Sequence, residues 1–501
     1  MSTKLERLKV LLGEVEDLHN IASLLGWDQN TYMPPGGSAA RGQQLATLDE
    51  IAHQRATSGE VGDLLKELKA EVAGAGPDSD EAALVRVATR DYEKAVRVPP
   101  EFVVEQALVA TAAFQAWTEA RAKSDFSIFL PHLEKVLALA KRYISFFPPA
   151  EHPYDVLLDD YEPGMKTAEV REIFDFLRPR QVELIRAIGQ QPQVADKFLS
   201  RKYDERKVWD FAAEITRDFG YDWNRGRMDK APHPFETSLN VDDVRITNRF
   251  EAAHPLATLF SAMHEAGHAM YEQGVDPRYE RTPLARGASL AVHESQSRMW
   301  ENLVGRSQAF WEFKFPSLKK GFSAQLDGVG ARSFYRGVNK VERSLIRVNA
   351  DEATYNLHIM LRLELEIGMV EGVVAPKDLP AIWDAKMRDY LGIEPPDARH
   401  GVLQDVHWSY GSIGYFSTYA LGNLISVQLW EKMQADLGDL EEHIRAGEFK
   451  PLLAWLRKNI HRHGRKFDPQ DLMIRATGSK ISPEPYIRYL TKKYSEIYKL
   501  Q

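Results

Sequence analysis

The residues best placed to do chemistry in this chain are His264-Glu265-Ala-Gly-His268. Residues four apart project from the same side of a helix, so His264 and His268 can offer two imidazole nitrogens to one metal ion. Glu265 then stands beside the metal, where it can take a proton from water. The triplet predicts metal-assisted hydrolysis. The chain contains no cysteine, so thiol nucleophiles, thiolate ligands and disulfides are excluded, and a metal must rest on histidines and carboxylates.

Two histidines leave the site one ligand short, because a catalytic zinc usually has three protein ligands and an open position. Glu272 continues the spacing, but at ~1.5 Å per residue it lies roughly 12 Å along the axis from His264, too far to share an ion with both histidines. The missing ligand is expected from the next helix, Ser289–Gly305, with Ser289 as its cap and Gly305 as its stop. Glu294, near its start, is the preferred ligand. His293 is the competitor, and Glu301 lies two turns further on. Metal-bound histidines usually donate their second N–H to a carboxylate or carbonyl, for which Asp243, Glu272 and Glu301 are candidates.

The elements that must position these residues are mostly helices. Pro255–Gly274 reads as one helix: proline fits its first position, Gly274 its end, and Leu256, Leu259, Phe260, Met263 and Met270 its buried face. Upstream, Leu5, Leu8, Leu11, Leu12, Val15 and Leu18 mark an opening helix that reaches Gly26 or breaks near Asn20, with turn-forming residues from Trp27 to Gly37. Helices follow toward Ala56, from a Gly74–Asp80 loop capped by Ser79 to Pro99-Pro100, and over Pro100–Ala122, Leu130–Ser145, Thr167–Ile188 and Asp204–Phe219. Between Met228 and His254 the pattern changes. Phe235–Leu239 and Val244–Phe250 are short, β-branched or aromatic, and predict a small antiparallel hairpin ahead of the histidine helix. The expected fold class is mainly α in a single domain, with a helical part at about 1–227, a β region at about 228–254 and the catalytic and C-terminal helices at about 255–501.

A hydrophobic fraction of 44% and a charged fraction of 27% are those of an ordinary globular protein. A net charge of −8 argues against nucleic acid or an anionic membrane as the main partner. The N-terminus places charges where a signal peptide needs its apolar core, and no apolar run approaches the ~18 residues of a membrane span. The expected compartment is the cytoplasm.

Motifs spread over the chain add to this reading. Trp27-Asp-Gln-Asn-Thr-Tyr-Met-Pro-Pro-Gly-Gly, His233-Pro-Phe235, Asp243-Val-Arg-Ile-Thr247, His264-Glu-Ala-Gly-His268, His293-Glu-Ser-Gln296, Ile346-Arg-Val-Asn-Ala-Asp351 and Gly401-Val-Leu-Gln-Asp-Val-His-Trp408 occur in that order. In this series the sequence resembles the carboxypeptidase Taq family of metallocarboxypeptidases. The resemblance implies a two-lobed, nearly all-helical subunit with a deep central groove, paired as a homodimer. It implies a zinc- or cobalt-dependent peptidase that removes single residues from peptides with a free C-terminus. Carried over, His264, His268 and Glu294 are metal ligands, Glu265 is the general base, and His293 becomes a neighbour. The segment Gly401–Leu421 supplies His407, with Tyr415 or Tyr419, for the oxyanion; Tyr410 is a further candidate there. Arg347 would bind the substrate's terminal carboxylate, for which its planar fork is suited. Without the resemblance, Arg347 and Asp351 read as an exposed helical ion pair. His233 and the hairpin motifs have two readings: an edge strand that meets an extended peptide substrate, or packing and turn chemistry.

Overall fold

The computed structural model describes residues 3–76 and 78–500 and is mainly helical, with one three-stranded sheet. Pro77, in the predicted Gly74–Asp80 loop, lies outside the described residues. The chain gathers into two compact units, each made of three stretches. Unit 1 comprises Met1–Val96, Asp196–Val338 and Leu429–Ser479; unit 2 comprises Arg97–Ala195, Asn339–Gln428 and Lys480–Gln501. Among the described residues no helix is long and apolar enough to cross a membrane.

In unit 1 the opening helix is unbroken from Thr3 to Thr31, past both expected stopping points. Its polar end sustains itself: Asn30 Nδ2 donates to the Gly26 carbonyl at 2.9 Å and Thr31 Oγ1 to that of Trp27 at 2.8 Å. Pro34 and Pro35 follow, where helix cannot continue. Leu5, Leu8 and Leu12 pack with Val61, Leu65, Leu68, Leu84 and Val85 into a core that also takes in Val241, Val275, Tyr279 and Leu284. Burial of these aliphatic side chains is the main force holding the N-terminal helices against the segments that flank the histidine helix.

The predicted hairpin is present and has a third strand that the sequence did not suggest. Strands β1 (Met228–Lys230), β2 (Glu236–Asn240) and β3 (Asp243–Asn248) are ordered β1-β3-β2. β2 and β3 are antiparallel, with Glu236 opposite Ile246 and a register shift between Ser238 and Asn240. β1 runs parallel to β3, Met228 opposite Ile246. At three residues β1 is too short to carry a periodicity. β3 turns Val244 and Ile246 inward, both fully buried.

Unit 2 is built on the helix Tyr355–Glu371, of which nearly every residue is buried, as befits a helix central to its unit. Asn356, His358, Arg362 and Glu366 share that interior at zero exposure. Polar groups so buried need partners. Asn356 accepts from Asn423 at 2.8 Å, and the partners of Arg362 and Glu366 shape the candidate site below.

Candidate active site

The histidine helix of unit 1 spans Ala257–Glu272, shorter at both ends than expected. Leu256 precedes it and Gln273 ends it in right-handed conformation, so Gly274 is not a left-handed stop. Glycine is required at 274 for another reason: a Cβ there would lie 2.7 Å from the ring of His461. Met263, Ala266, Ala269, Met270 and Tyr271 are fully buried and fix the rotation of the helix. Gly267, inside the His-Glu-Ala-Gly-His motif, lets the next helix approach to backbone contact. A Cβ at 267 would stand 2.6 Å from the Gln296 carbonyl oxygen and 2.6 Å from the Ser297 Cα.

That next helix spans Leu290–Arg298, and Ser289 caps it, its Oγ accepting from Val292 N at 3.1 Å. It continues into a π-helical segment, Met299–Val304, whose wider turn absorbs an extra residue before Gly305. From it Glu294 comes to lie 3.6 Å from His264 Nε2 and 3.4 Å from His268 Nε2 through its Oε2. Donor atoms of His264, His268 and Glu294 all fall within 4.8 Å of one another. Ligands at ~2.05 Å from a tetrahedral ion stand about 3.3 Å apart. The three donors therefore fit a metal ion with little movement.

Every other polar atom of the three side chains is occupied by protein. His264 Nδ1 meets Glu301 Oε2 at 3.0 Å, so Glu301 fills the expected carboxylate role. His268 Nδ1 meets His293 Nδ1 at 2.5 Å, and His293 Nε2 meets Glu272 Oε1 at 2.9 Å. Glu272 Oε1 also accepts from Gly287 N at 3.1 Å. With metal on His268 Nε2, its Nδ1–H donates to His293 and His293 Nε2–H donates to Glu272, which leaves both imidazoles neutral. Glu272 thus supports His268 through a second histidine, and Asp243 is instead paired with Arg245. Arg298 spans the site, donating from Nε to Glu294 at 2.6 Å and from Nη1 to Glu301 at 3.2 Å.

These surroundings set the charges. Burial pushes the Glu265 carboxyl up to about 7, partly opposed by His264. Burial lowers His268 to about 3, which favours the neutral, ligating imidazole. Burial also acts to raise Glu294, but Arg298 and the two histidines outweigh it and hold the carboxyl well below its ordinary range. Burial acts to lower His264, but Glu294 and Glu301 outweigh it and raise that imidazole above its ordinary value. An acceptor that can hold a proton near neutrality thus sits next to two donors, His268 and Glu294, that stay unprotonated. This is the polarity that metal-assisted hydrolysis requires.

The remaining predicted residues, except His233, lie in unit 2. Arg347 opens a single 3-10 turn, Arg347–Asn349, and is only 6% exposed. The reading of it as an exposed helical partner of Asp351 is wrong. The turn precludes helical spacing, and Asp351 spends its carboxylate on the N–H groups of Glu342, Ala353 and Thr354. Arg347 instead pairs with Asp405, Nε at 2.9 Å and Nη2 at 2.8 Å from Oδ1, and its Nη1 donates to the Tyr355 hydroxyl at 2.9 Å. His407 Nε2 lies 3.3 Å from the Tyr419 hydroxyl, and Tyr415 packs on both rings at centroid distances of 5.3 and 5.2 Å. Arg347 Cζ stands 5.0 Å over the Tyr419 ring, so these residues form one cluster. Tyr410 is half exposed and stacks on Phe114 at 5.1 Å, outside it.

Glu366 anchors the segment that carries His407 and Tyr415. Fully buried, it accepts from Trp408 Nε1 at 2.8 Å, Gly414 N at 2.9 Å and the Tyr154 hydroxyl at 2.6 Å. Gly414 has φ +104, and a Cβ there would meet the Leu157 carbonyl oxygen at 2.7 Å. His233 is exposed in unit 1, and its carbonyl oxygen accepts from Thr247 Oγ1 at 3.5 Å. Sequence reasoning assigned no role to Asp405, Arg362, Tyr355 or Glu366. Asp405 stood within a quoted motif, but its partners are 58 and 43 residues away and no local pattern connects them.

Comparisons with known proteins identify the family. The family profile described as carboxypeptidase Taq (M32) metallopeptidase matches residues 7–494. The chain is 42% identical over 495 residues to thermostable carboxypeptidase 1 of Thermus thermophilus, covering 97% of each chain. It is 36% identical to carboxypeptidase 1 of Bacillus subtilis, covering 98% of each. The crystal structure of the M32 carboxypeptidase of Deinococcus radiodurans superposes with a TM-score of 0.97 at 42% identity, over 99% of this chain and 100% of that one. The protein belongs to the carboxypeptidase Taq (M32) family of metallopeptidases.

Proposed function

We propose that this protein is a zinc carboxypeptidase, active also with cobalt, that releases single residues of broad type from peptides with a free C-terminus. The observation that carries the reading is the convergence of His264 Nε2, His268 Nε2 and Glu294 Oε2 beside a buried Glu265. These three residues would hold the ion. When bound, a metal of this kind lowers the pKa of water and polarises a carbonyl. Glu265 accepts the proton of the attacking water on its carboxylate and returns it to the leaving amine. His407, with Tyr415 or Tyr419, donates to the oxyanion; the tyrosine responsible is the one whose Phe variant loses kcat with KM unchanged. Arg347 receives the terminal carboxylate, and His233 contacts the substrate.

Mass spectrometry of a digested peptide tests the reading. One-residue ladders from the C-terminus are expected, with the C-terminally amidated peptide resistant. Internal cuts or release of dipeptides would replace it by an oligopeptidase or dipeptidyl carboxypeptidase. Elemental analysis of the purified protein tests the choice of zinc. The family resemblance supports a homodimer, which light scattering of the eluted protein checks, and the compartment proposed is the cytoplasm.

A further inference from the structure

Asp405 serves two guanidinium groups with one carboxylate. Its Oδ1 takes Nε and Nη2 of Arg347, and its Oδ2 takes Nε of Arg362 at 2.6 Å, with Nη2 of Arg362 at 2.5 Å. Arg362 also donates from Nη1 to the His358 carbonyl at 2.6 Å. Two cations and one anion leave this buried group with one positive charge in excess. Arg362 has no exposed surface, so a ligand can meet the excess only at Arg347, whose side chain is 7% exposed.

The hydrogen-bond count on Arg347 points the same way. A guanidinium has five N–H donors. Asp405 takes one from Nε and one from Nη2, and Tyr355 takes one from Nη1. One donor remains on each terminal nitrogen, the pair that receives a carboxylate in a two-pronged bond. The backbone beneath is fixed too. Arg347 N donates to Gln404 Oε1 at 2.8 Å, and Gln404 Nε2 donates to the carbonyls of Leu345, His400 and Gly401.

We propose that Asp405 and Tyr355 are positioning residues that hold the Arg347 fork, with Arg362 behind it, in the orientation that receives the terminal carboxylate of a peptide. This rests on the reading of Arg347 given above. Asp405 blocks one side of the fork and Tyr355 fixes its other terminal nitrogen, so a single face is left. An arginine held this way loses little freedom when the ligand arrives.

The test is competitive inhibition by a peptide ending in a D-residue, in free-acid and amide forms, on the metal-loaded enzyme. The ratio of the two inhibition constants reads carboxylate recognition without turnover. Wild type should prefer the acid by about tenfold or more, and R347A should bring the ratio close to one. D405N should lower the preference about fivefold or more, and Y355F about twofold, with metal content and His264-dependent metal affinity unchanged. A folded D405N with the wild-type ratio overturns the proposal. Because D405N leaves two buried guanidinium groups poorly paired, Y355F provides an independent arm; should D405N not fold, an unchanged ratio in Y355F overturns it. If R347A itself keeps the wild-type ratio, the reading of Arg347 fails, which is a distinguishable result.

Discussion

The metal centre of unit 1 and the arginine–tyrosine cluster of unit 2 are both buried polar sites, yet they are held in different ways. The first is mounted on regular helices, and its side chains are placed by backbone geometry: i, i+4 spacing, a serine cap, and a glycine that lets two helices touch. In the second, Arg347 and His407 stand on 3-10 turns while Tyr355, Arg362, Glu366 and Tyr419 stand on helices, and the side chains are placed by charge: Asp405 between two arginines and Glu366 among three donors. The contrast predicts that, in stability, the first region responds to changes of shape and the second to changes of charge.

The largest effect is expected from E265Q, which keeps the shape of the first region and removes its base. kcat should fall by about 10²–10⁴-fold with bound metal unchanged, measured by steady-state kinetics and elemental analysis. Activity at the wild-type level would show that Glu265 is not the proton acceptor.

Next comes the pH response of the second region. Burial pushes Glu366 up to about 7, from an ordinary value near 4.5, against the pull of Tyr154, Gly414 and Trp408. A carboxyl raised on folding stabilises the fold below its unfolded value and loses that contribution as pH rises through the folded value. Urea unfolding of wild type and E366Q should therefore show a stability gap that narrows by up to about 3 kcal/mol between pH 4.5 and pH 8. A gap independent of pH would mean that Glu366 is already ionised throughout, held by its three donors.

In G267A the metal helices must part, since the new methyl would lie 2.6 Å from two backbone atoms. A loss of about 1–3 kcal/mol in unfolding free energy is expected, together with weaker metal binding and little dependence on pH. Stability equal to wild type would break the claim that shape governs this region. The smallest effect is assigned to H293A, which cuts His268 off from Glu272. Metal affinity should fall about 10–100-fold, measured by chelator competition, while unfolding of the metal-free chain changes less.

The same contrast explains what could be read from sequence. His264, Glu265 and His268 announce themselves by local spacing; the cap at Ser289 and the reach of a neighbouring helix only favour Glu294, and the motif resemblance is what sets it above His293. Glu301 and Glu272 were both named as supports, but only the fold decides that Glu272 acts through His293. In unit 2, by contrast, the roles of Arg347, His407 and the two tyrosines came from motif resemblance alone. A residue-by-residue reading misplaced Arg347 as an exposed partner of Asp351, because nothing local signals that Asp405 will pair with it. The opening helix was cut short for a related reason: Asn30 and Thr31 look like turn formers until their side chains bond back to the preceding turn.

The wide π-helical turn at Met299–Val304 makes the number of residues there matter as much as their identity. Arg298, before it, bonds Glu294; Glu301, within it, bonds both His264 and Arg298; Arg306, beyond it, reaches back to Glu301. Removing Met299 or Trp300 would swing Glu301 about the helix axis without altering any group that touches the metal. A one-residue deletion in this spacer should therefore cost more metal affinity than H293A, although it takes away no charge and no ligand.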